Sequence, residues 1–330
     1  MPAIGLVVNP SAGRDIRRLT GSAVVSDNYA KRQTARCVLA GLAMTPGVEA
    51  VVMPDKAGLG QWAVENAPDG VAARLLDVPV AGSSAGTQRA AARFSETVDV
   101  VVVLGGDGTN RDVALEIGDV PMASVSTGTN NVVPVHVDGT AAGAAAGLVA
   151  AGVVPVDDVT FRHGMVEAAV DARTGERTLR GLATLGVIDR PFVGTRAVLH
   201  GDEFVGGVVS RAHPSDIGLS GIAGAVEPHA PDAPGGVALH LGPPAESPTV
   251  ARAITVPGVV ERIGVREHLA LADDETTTFE VAEAVLSVDG ERDLEVQDAV
   301  VDVRPVPDGP RVVRFDDVFT AASATGRFVE

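Results

Sequence analysis

The sequence predicts an α/β fold in which an N-terminal doubly wound parallel sheet domain precedes a β-rich C-terminal domain. In residues 1–152, short apolar runs alternate with segments of helical periodicity, which is typical of parallel strands buried on both faces. After that, short β-prone segments separated by Gly, Pro and Asp follow one another, which is typical of antiparallel sheet. We therefore expect domains over residues 1–152 and 153–305, and a C-terminal segment, 306–330, that packs back on the first domain.

The predicted elements follow one another in a regular order. Strands of the first domain are predicted at residues 4–8, 50–53, 78–81, 98–104 and 121–125. Its helices are predicted at residues 29–44, 60–66, 71–76, 83–94 and 139–151. In the second domain, strands are expected within residues 165–170, 181–188, 197–199 and 236–241, and a hairpin with an Asp-Gly turn is expected over residues 284–303. Ligands of a doubly wound sheet bind beyond the carboxyl ends of its strands, so the polar turns there are candidate sites.

The turn with the strongest chemical signal is the sequence Gly-Gly-Asp-Gly-Thr at residues 105–109. It follows an apolar strand and precedes a helical pattern, so its glycines can bring backbone N–H groups close to a ligand. The helix N-terminus behind it favours phosphate. Gly105, Gly106, Gly108 and Thr109 are therefore candidate phosphate ligands. Asp107 is exceptional, because a carboxylate among such amides is unfavourable unless it accepts a proton or helps to hold a metal.

Two further turns are expected at the same edge of the sheet. The first strand ends at Asn9, within Asn-Pro-Ser-Ala-Gly. Arginines that follow such turns, for example Arg14 after this one or Arg111 after the turn at 105–109, could clamp a phosphate. The strand at 121–125 is followed by a polar turn that contains four candidate residues, Gly128, Thr129, Asn130 and Asn131. In isolation, a solvated basic loop explains the first segment equally well, and adjacent asparagines are more often part of an ordinary turn. The position of the second turn after a strand, downstream of Asp107, favours a functional role.

The second domain contributes two candidate loops. Residues 187–196 include Asp189 and hold charges beside a glycine, and residues 216–224 form a Gly/Ser-rich segment around Ser220 that could lie against a phosphate or a sugar. The seven histidines show no metal-ligand spacing, so the sequence does not indicate a zinc site.

Composition limits the classes of partner. The formal net charge is −17, and only Lys31 and Lys56 among the 26 basic residues are lysines, which is typical of a halophilic protein. This charge argues against binding to nucleic acid or to anionic membranes. Cys37 is the single cysteine, which excludes an intramolecular disulfide and a multi-cysteine metal site. Without a signal-peptide pattern or a membrane-spanning run, a cytoplasmic location is expected.

The order of these motifs resembles the superfamily of NAD kinases and diacylglycerol or sphingosine kinases. The motifs that are similar are Gly-Gly-Asp-Gly-Thr at 105–109, Gly-Thr-Asn-Asn at 128–131 and Val-Asp-Gly-Glu at 288–291. The segments at 8–13, 21–23 and 192–197 look most like the AcoX-like relatives of the ATP-NAD kinases.

The resemblance implies a kinase with a cleft between its two domains and a fold like that of NAD kinase and diacylglycerol kinase. It implies that Asp107 is the general base toward an acceptor hydroxyl, that the glycines at 105–108 and Thr109 approach the donor phosphates, and that Asn130 and Asn131 contact nucleotide. The 218–224 segment resembles the glycine/serine loop of NAD kinases. The expected reaction transfers a phosphoryl group from ATP or polyphosphate, with Mg²⁺, to the 2′-hydroxyl of NAD. The expected partners are nucleotide small molecules and, as in related kinases, further copies of the chain in a homo-oligomer.

Two departures concern the acceptor. NAD kinases usually carry an Asn-Glu pair on the first strand of the β domain, whereas the corresponding segment here, residues 184–189, ends in Asp189. Asp112 also stands where lipid kinases have a glutamate. Both residues are therefore expected to bear on which hydroxyl is presented. A kinase of another hydroxyl, such as that of a lipid, a sphingoid base or a small polyol, and a non-catalytic nucleotide-binding regulator are the alternatives.

Overall fold

The structure is a computed structural model that describes residues 1–12, 27–128, 131–189 and 204–329. The strands are β1 (Ala3–Val8), β2 (Glu49–Val52), β3 (Ala73–Leu75), β4 (Val100–Gly105), β5 (Met122–Ser126), β6 (Thr160–Arg162), β7 (Met165–Ala172), β8 (Gly175–Gly181), β9 (Thr184–Ile188), β10 (Phe204–Val209), β11 (Gly236–Gly242), β12 (Thr249–Val256), β13 (Val259–Leu271), β14 (Thr277–Val288), β15 (Glu291–Val306) and β16 (Arg311–Val313). The α-helices are α1 (Asn28–Gly41), α2 (Leu59–Glu65), α3 (Ser84–Ser95), α4 (Asp107–Ala114), α5 (Gly139–Ala150), α6 (Val156–Val159), α7 (Leu219–Val226) and α8 (Phe315–Ala324).

The first sheet has seven strands in the order β3-β2-β1-β4-β5-β16-β6, and β1 to β5 are parallel. Every residue of β1 and β4 is buried, as expected for strands with helices on both faces. The chain runs outward from β1 to β2 and β3, and then returns to β4 on the other side of β1. The strand order therefore reverses between β1 and β4, which is the point where doubly wound sheets bind ligands.

The second sheet has nine strands in the order β12-β13-β11-β10-β9-β14-β15-β7-β8, all paired antiparallel. The two sheets confirm the predicted fold class. The turn between β14 and β15 consists of Asp289 and Gly290, both with positive φ of 49° and 78°. Two such residues in sequence form the turn that matches the twist of a hairpin.

The sequence predicts that the second domain begins at residue 153, but in the structure the chain passes from the first sheet to the second later. Strand β6 still belongs to the first sheet, because it pairs antiparallel with β16, and helix α6 still packs on α8. The chain enters the second sheet only at β7. Strand β16 returns to the first sheet beside β5, and α8 then packs on α5.

Two local predictions are wrong. Residues 71–76 are expected to be helical, but β3 forms there and pairs parallel with β2, because the edge of the sheet offers its backbone hydrogen bonds that local propensity does not reveal. Residues 78–81 do not form a strand, and Val80 is 51% exposed. The segment 197–199 lies outside the described residues. No helix in the described part of the chain is long and apolar enough to span a membrane.

Helices α1 and α5 lie unusually close together because glycine occupies their contact. A Cβ atom at Gly143 would lie 1.9 Å from the carbonyl oxygen of Val38, and one at Gly41 would lie 2.1 Å from that of Thr140. Both obstacles are backbone atoms, which cannot move without displacing a helix. Since α5 also packs on β1, β4 and β5, this contact sets how α1 lies on the sheet.

We expect Gly143→Ala to lower the free energy of unfolding by about 3 kcal/mol, the upper end of the range for overpacked cores. Gly147→Ala is the matched control on the same helix, because its Cβ would meet side-chain atoms of Leu42 and Thr45 at 3.3 Å. Its effect should stay within about 1 kcal/mol, since alanine also favours the helix. Urea unfolding of both variants checks this, and equal effects would contradict the account.

Candidate active site

The loop after β1 and the turn after β4 are joined at the point where the strand order reverses. The side-chain nitrogen Nδ2 of Asn9 donates to Thr109 Oγ1 at 2.6 Å, and the Asn9 backbone N–H donates to the Leu104 carbonyl at 3.2 Å. Asn9 Oδ1 accepts from the Ser11 N–H at 2.8 Å. Asn9 therefore holds its own loop and the first turn of α4 in one arrangement. Arg14, the other candidate near this loop, lies outside the described residues.

The turn at 105–109, which we call the phosphate turn, packs directly on the turn after β5. A Cβ atom at Gly105 would lie 2.5 Å from Thr109 Cβ, and one at Gly128 would lie 2.9 Å from Gly106 Cα. Gly105 and Gly128 are thus required for close approach. Gly108 has more room, because its Cβ would be 3.5 Å from a carboxylate oxygen of Glu291.

Asn131 lies between these two turns. Its Nδ2 donates to Ser126 Oγ at 2.6 Å, and its Oδ1 would be 3.0 Å from a Cβ atom at Gly106. The structure thus brings Asn131 to the phosphate turn. The candidates Thr129 and Asn130 lie outside the described residues.

Asp107 is the first residue of α4 and is only 7% exposed. Its Oδ1 accepts from the Val132 and Val133 N–H groups at 3.1 and 2.9 Å, and its Oδ2 accepts from the Val132 N–H at 2.8 Å. These bonds hold the carboxylate in one orientation. A carboxylate fixed in this way at a helix N-terminus can accept a hydrogen bond from a bound hydroxyl.

The second domain reaches the same helix through the hairpin of β14 and β15. Arg111 Nη1 donates to the Val288 carbonyl at 3.2 Å and lies 4.0 Å from Asp289 Oδ2. Asp289 in turn accepts from the N–H groups of residues 182, 183 and 184 at 2.8 to 3.0 Å. Burial raises the pKa of Asp289, while Arg111 and these amides oppose the rise. Arg111 therefore contacts the second domain. These contacts do not involve a phosphate, and the role of Arg111 as a phosphate clamp stays a prediction.

The sequence motif Asp-Gly-Glu of this hairpin does not by itself predict a role for each of its residues. The structure shows that Asp289 organises the start of β9, while Glu291 approaches the phosphate turn at Gly108. One local signal could have identified Asp289. A two-residue hairpin turn requires positive φ, and aspartate tolerates that conformation.

Asp112 lies on α4 near the hairpin and is 8% exposed. The pKa of Asp112 is raised to about 6, chiefly by burial and also by the nearby Glu291 and Asp289 carboxylates, while Arg111 and a 3.4 Å hydrogen bond from Gln88 oppose the rise. Asp112 thus has charged neighbours from both domains and changes its charge in the neutral range.

The two candidate residues of the second domain, Asp189 and Ser220, differ in their exposure to solvent. Asp189 is exposed at the end of β9, next to residues outside the described part of the chain. The segment 216–224 is not simply a loop, as the sequence suggests, because α7 begins at Leu219 and packs on the second sheet. Ser220 is fully buried, and its hydroxyl has no hydrogen-bond partner among the described residues. Gly221 permits this packing, since its Cβ would lie 2.2 Å from the Asp216 carbonyl oxygen.

The pKa of Asp112 predicts a pH-dependent stability. Because the folded pKa is raised, the contribution of Asp112 to stability is fully present below pH 4 and is lost as the pH rises through about 6. The wild type should therefore lose about 2–3 kcal/mol relative to Asp112→Asn between pH 4 and pH 8. Urea unfolding of both proteins at several pH values measures this difference, and a difference that does not change with pH would contradict it.

Comparison with known proteins places this site in a family. Residues 4–154 match the model of the ATP-NAD kinase N-terminal domain, and residues 165–308 match that of the acetoin catabolism protein X C-terminal domain. The chain is 34% identical over 303 residues to acetoin catabolism protein X of Cupriavidus necator, covering 89% of this chain and 84% of that protein.

Two solved structures match the chain at low sequence identity. A yeast NADH kinase in complex with NADH has a TM-score of 0.52 at 12% identity, covering 100% of this chain and 88% of that one. A diacylglycerol kinase of Bacillus anthracis has a TM-score of 0.43 at 13% identity, covering 95% of this chain and 96% of that one. The sequence matches extend over both sheets and include the phosphate turn. The chain therefore belongs to the ATP-NAD kinase/AcoX-like family and is a phosphotransferase with a hydroxyl acceptor.

Proposed function

We propose that this protein transfers a phosphoryl group from ATP or polyphosphate to the 2′-hydroxyl of NAD, forming NADP, with Asp107 as the general base. The observation that carries the proposal is the placement of Asp107, which lies buried between two touching glycine turns with its carboxylate held by two backbone amides. The match of residues 4–154 to the ATP-NAD kinase domain supports NAD as the acceptor.

Phosphoryl transfer depends mostly on positioning and on the neutralisation of charge. In the proposed step, the acceptor hydroxyl gives its proton to the Asp107 carboxylate and its oxygen forms a bond to the terminal phosphorus of the donor. The bond to the leaving phosphate breaks, releasing ADP or a shortened polyphosphate. Because Val132 and Val133 already hold the carboxylate, it need not reorient during the reaction.

The donor phosphates would lie at the N-terminus of α4, against the backbone of Gly105, Gly106 and Gly108 and the side chain of Thr109. Asn9, Gly128 and Asn131 surround this turn, so we assign them to the nucleotide as well, together with Thr129 and Asn130. Asp112 and Asp189 are left as candidates for acceptor selection, and the segment around Ser220 is left as a candidate contact for a phosphate or a sugar. A cytoplasmic location and a homo-oligomeric state remain part of this proposal.

Magnesium enters the proposal as part of the substrate MgATP. Among the described residues, no three His, Cys, Asp or Glu side chains are grouped so that they could hold a metal ion. Mg²⁺ is often held mainly by substrate phosphates and water, with one or two carboxylates, and this site is compatible with that arrangement.

A different small hydroxyl compound is the second candidate acceptor. The second domain matches the acetoin catabolism protein X C-terminal model, and β9 leads to Asp189 instead of an Asn-Glu pair. The name of the related Cupriavidus protein refers to the catabolism of acetoin, a hydroxyketone. Acetoin therefore joins the lipids and polyols as a candidate.

Incubation of the protein with MgATP or polyphosphate in high-salt buffer should convert NAD to NADP. Parallel reactions contain acetoin, glycerol, sphingosine or diacylglycerol, and ³¹P NMR identifies any new phosphate ester. Donor consumption only with another acceptor would replace NAD in the proposal. Nucleotide binding without any transfer would indicate a regulator instead.

Asp107→Asn should lower kcat by about 10²–10⁴-fold, the usual contribution of a general base. Asp55→Asn is the matched control, because Asp55 also accepts from two backbone N–H groups, those of Ala57 and Gly60, at the start of another helix. Circular dichroism and thermal unfolding establish that both variants fold. Near-normal turnover by folded Asp107→Asn would remove Asp107 from the role of base.

A further inference from the structure

We propose that Lys31 is a positioning residue of this site: its buried ammonium holds the loop of residues 9–12 in the conformation that binds the phosphates of the donor nucleotide. The inference rests on the proposed function, because it assigns this loop to the donor. It adds a residue of α1, which neither the motifs nor the family resemblance single out.

Lys31 is unusual for its burial. It is one of only two lysines in the chain, and its exposed fraction is 0%. Removing an ammonium from water is costly unless the group is hydrogen-bonded. Its position in the first turn of α1 adds an unfavourable interaction with the helix dipole. Helix stability therefore does not explain a lysine here, and the contacts of its ammonium must.

The ammonium contacts the loop that follows β1. Lys31 Nζ donates to the Pro10 carbonyl oxygen at 2.8 Å. Because a trans peptide unit is planar, fixing the Pro10 carbonyl also fixes the direction of the Ser11 N–H, which points the opposite way. That N–H donates to Asn9 Oδ1 at 2.8 Å. Lys31 thereby orients the side chain of Asn9 through one peptide unit.

Asn9 carries this constraint to the phosphate turn. Its Nδ2 donates to Thr109 Oγ1 at 2.6 Å, and Thr109 lies in the first turn of α4, two residues after Asp107. A continuous series of hydrogen bonds thus joins α1 to the residues proposed to bind the donor.

Lys31→Met removes the ammonium but keeps a side chain of nearly the same length. The Pro10 carbonyl loses this donor in the variant, so the thermal midpoint should fall, and binding is measured at a temperature at which the variant is fully folded. We expect the Kd for MgATP, measured by equilibrium dialysis, and the KM for ATP each to rise about tenfold, as for the loss of one charge-assisted hydrogen bond. The kcat at saturating ATP should change far less, and Lys31→Arg should recover part of the affinity.

Lys56→Met is the control, because Lys56 is the other lysine and is exposed. It should bind MgATP as the wild type does. An unchanged Kd in Lys31→Met, with normal binding by the wild type, would overturn the inference and leave the proposed function intact. A loss of affinity that only follows the unfolded fraction in both Lys31 variants would assign Lys31 to stability and overturn it as well. Absence of MgATP binding by the wild type would overturn the inference, and absence of NADP formation with both ATP and polyphosphate would overturn the proposed function.

Discussion

The hydrogen bonds from the Val132 and Val133 amides to the Asp107 carboxylate are the interaction on which the site depends. They tie the start of α4 to the segment after β5. The Asn9–Thr109 bond ties the same helix to the loop after β1. Three segments that follow three neighbouring strands are therefore held together by α4. A buried carboxylate is tolerated there because backbone N–H groups compensate its charge.

The same helix connects the two domains. Asp107 at its start contacts the first domain, and Arg111 one turn later contacts the hairpin of the second. Asp289 extends this connection to the beginning of β9, the strand that leads to Asp189. The residues proposed to bind the phosphate donor and the segment expected to select the acceptor are thus both connected to α4 by hydrogen bonds. Burial is the main cause of the raised pKa of Asp112, and the Glu291 and Asp289 carboxylates of the second domain add to it.

The strand, turn and helix around residues 105–109 are predicted well because their signal is local. An apolar strand, a glycine turn and a helical pattern occur within about fifteen residues, and no distant contact is needed to recognise them. Features that depend on tertiary contacts are not predictable in this way. Strand β3 forms by pairing with β2, Ser220 is buried because α7 packs on the second sheet, and Lys31 contacts the carbonyl of Pro10, which is 21 residues away in the sequence.

The family assignment specifies the reaction class more closely than the acceptor, since the second domain departs from the NAD kinase pattern at Asp189. The most direct test is a crystal structure of Asp107→Asn with NAD and a non-hydrolysable ATP analogue. We expect the phosphates against residues 105–109 and the ribose 2′-hydroxyl within hydrogen-bond distance of residue 107. Ligands bound away from this turn, or a ribose hydroxyl remote from residue 107, would contradict the account.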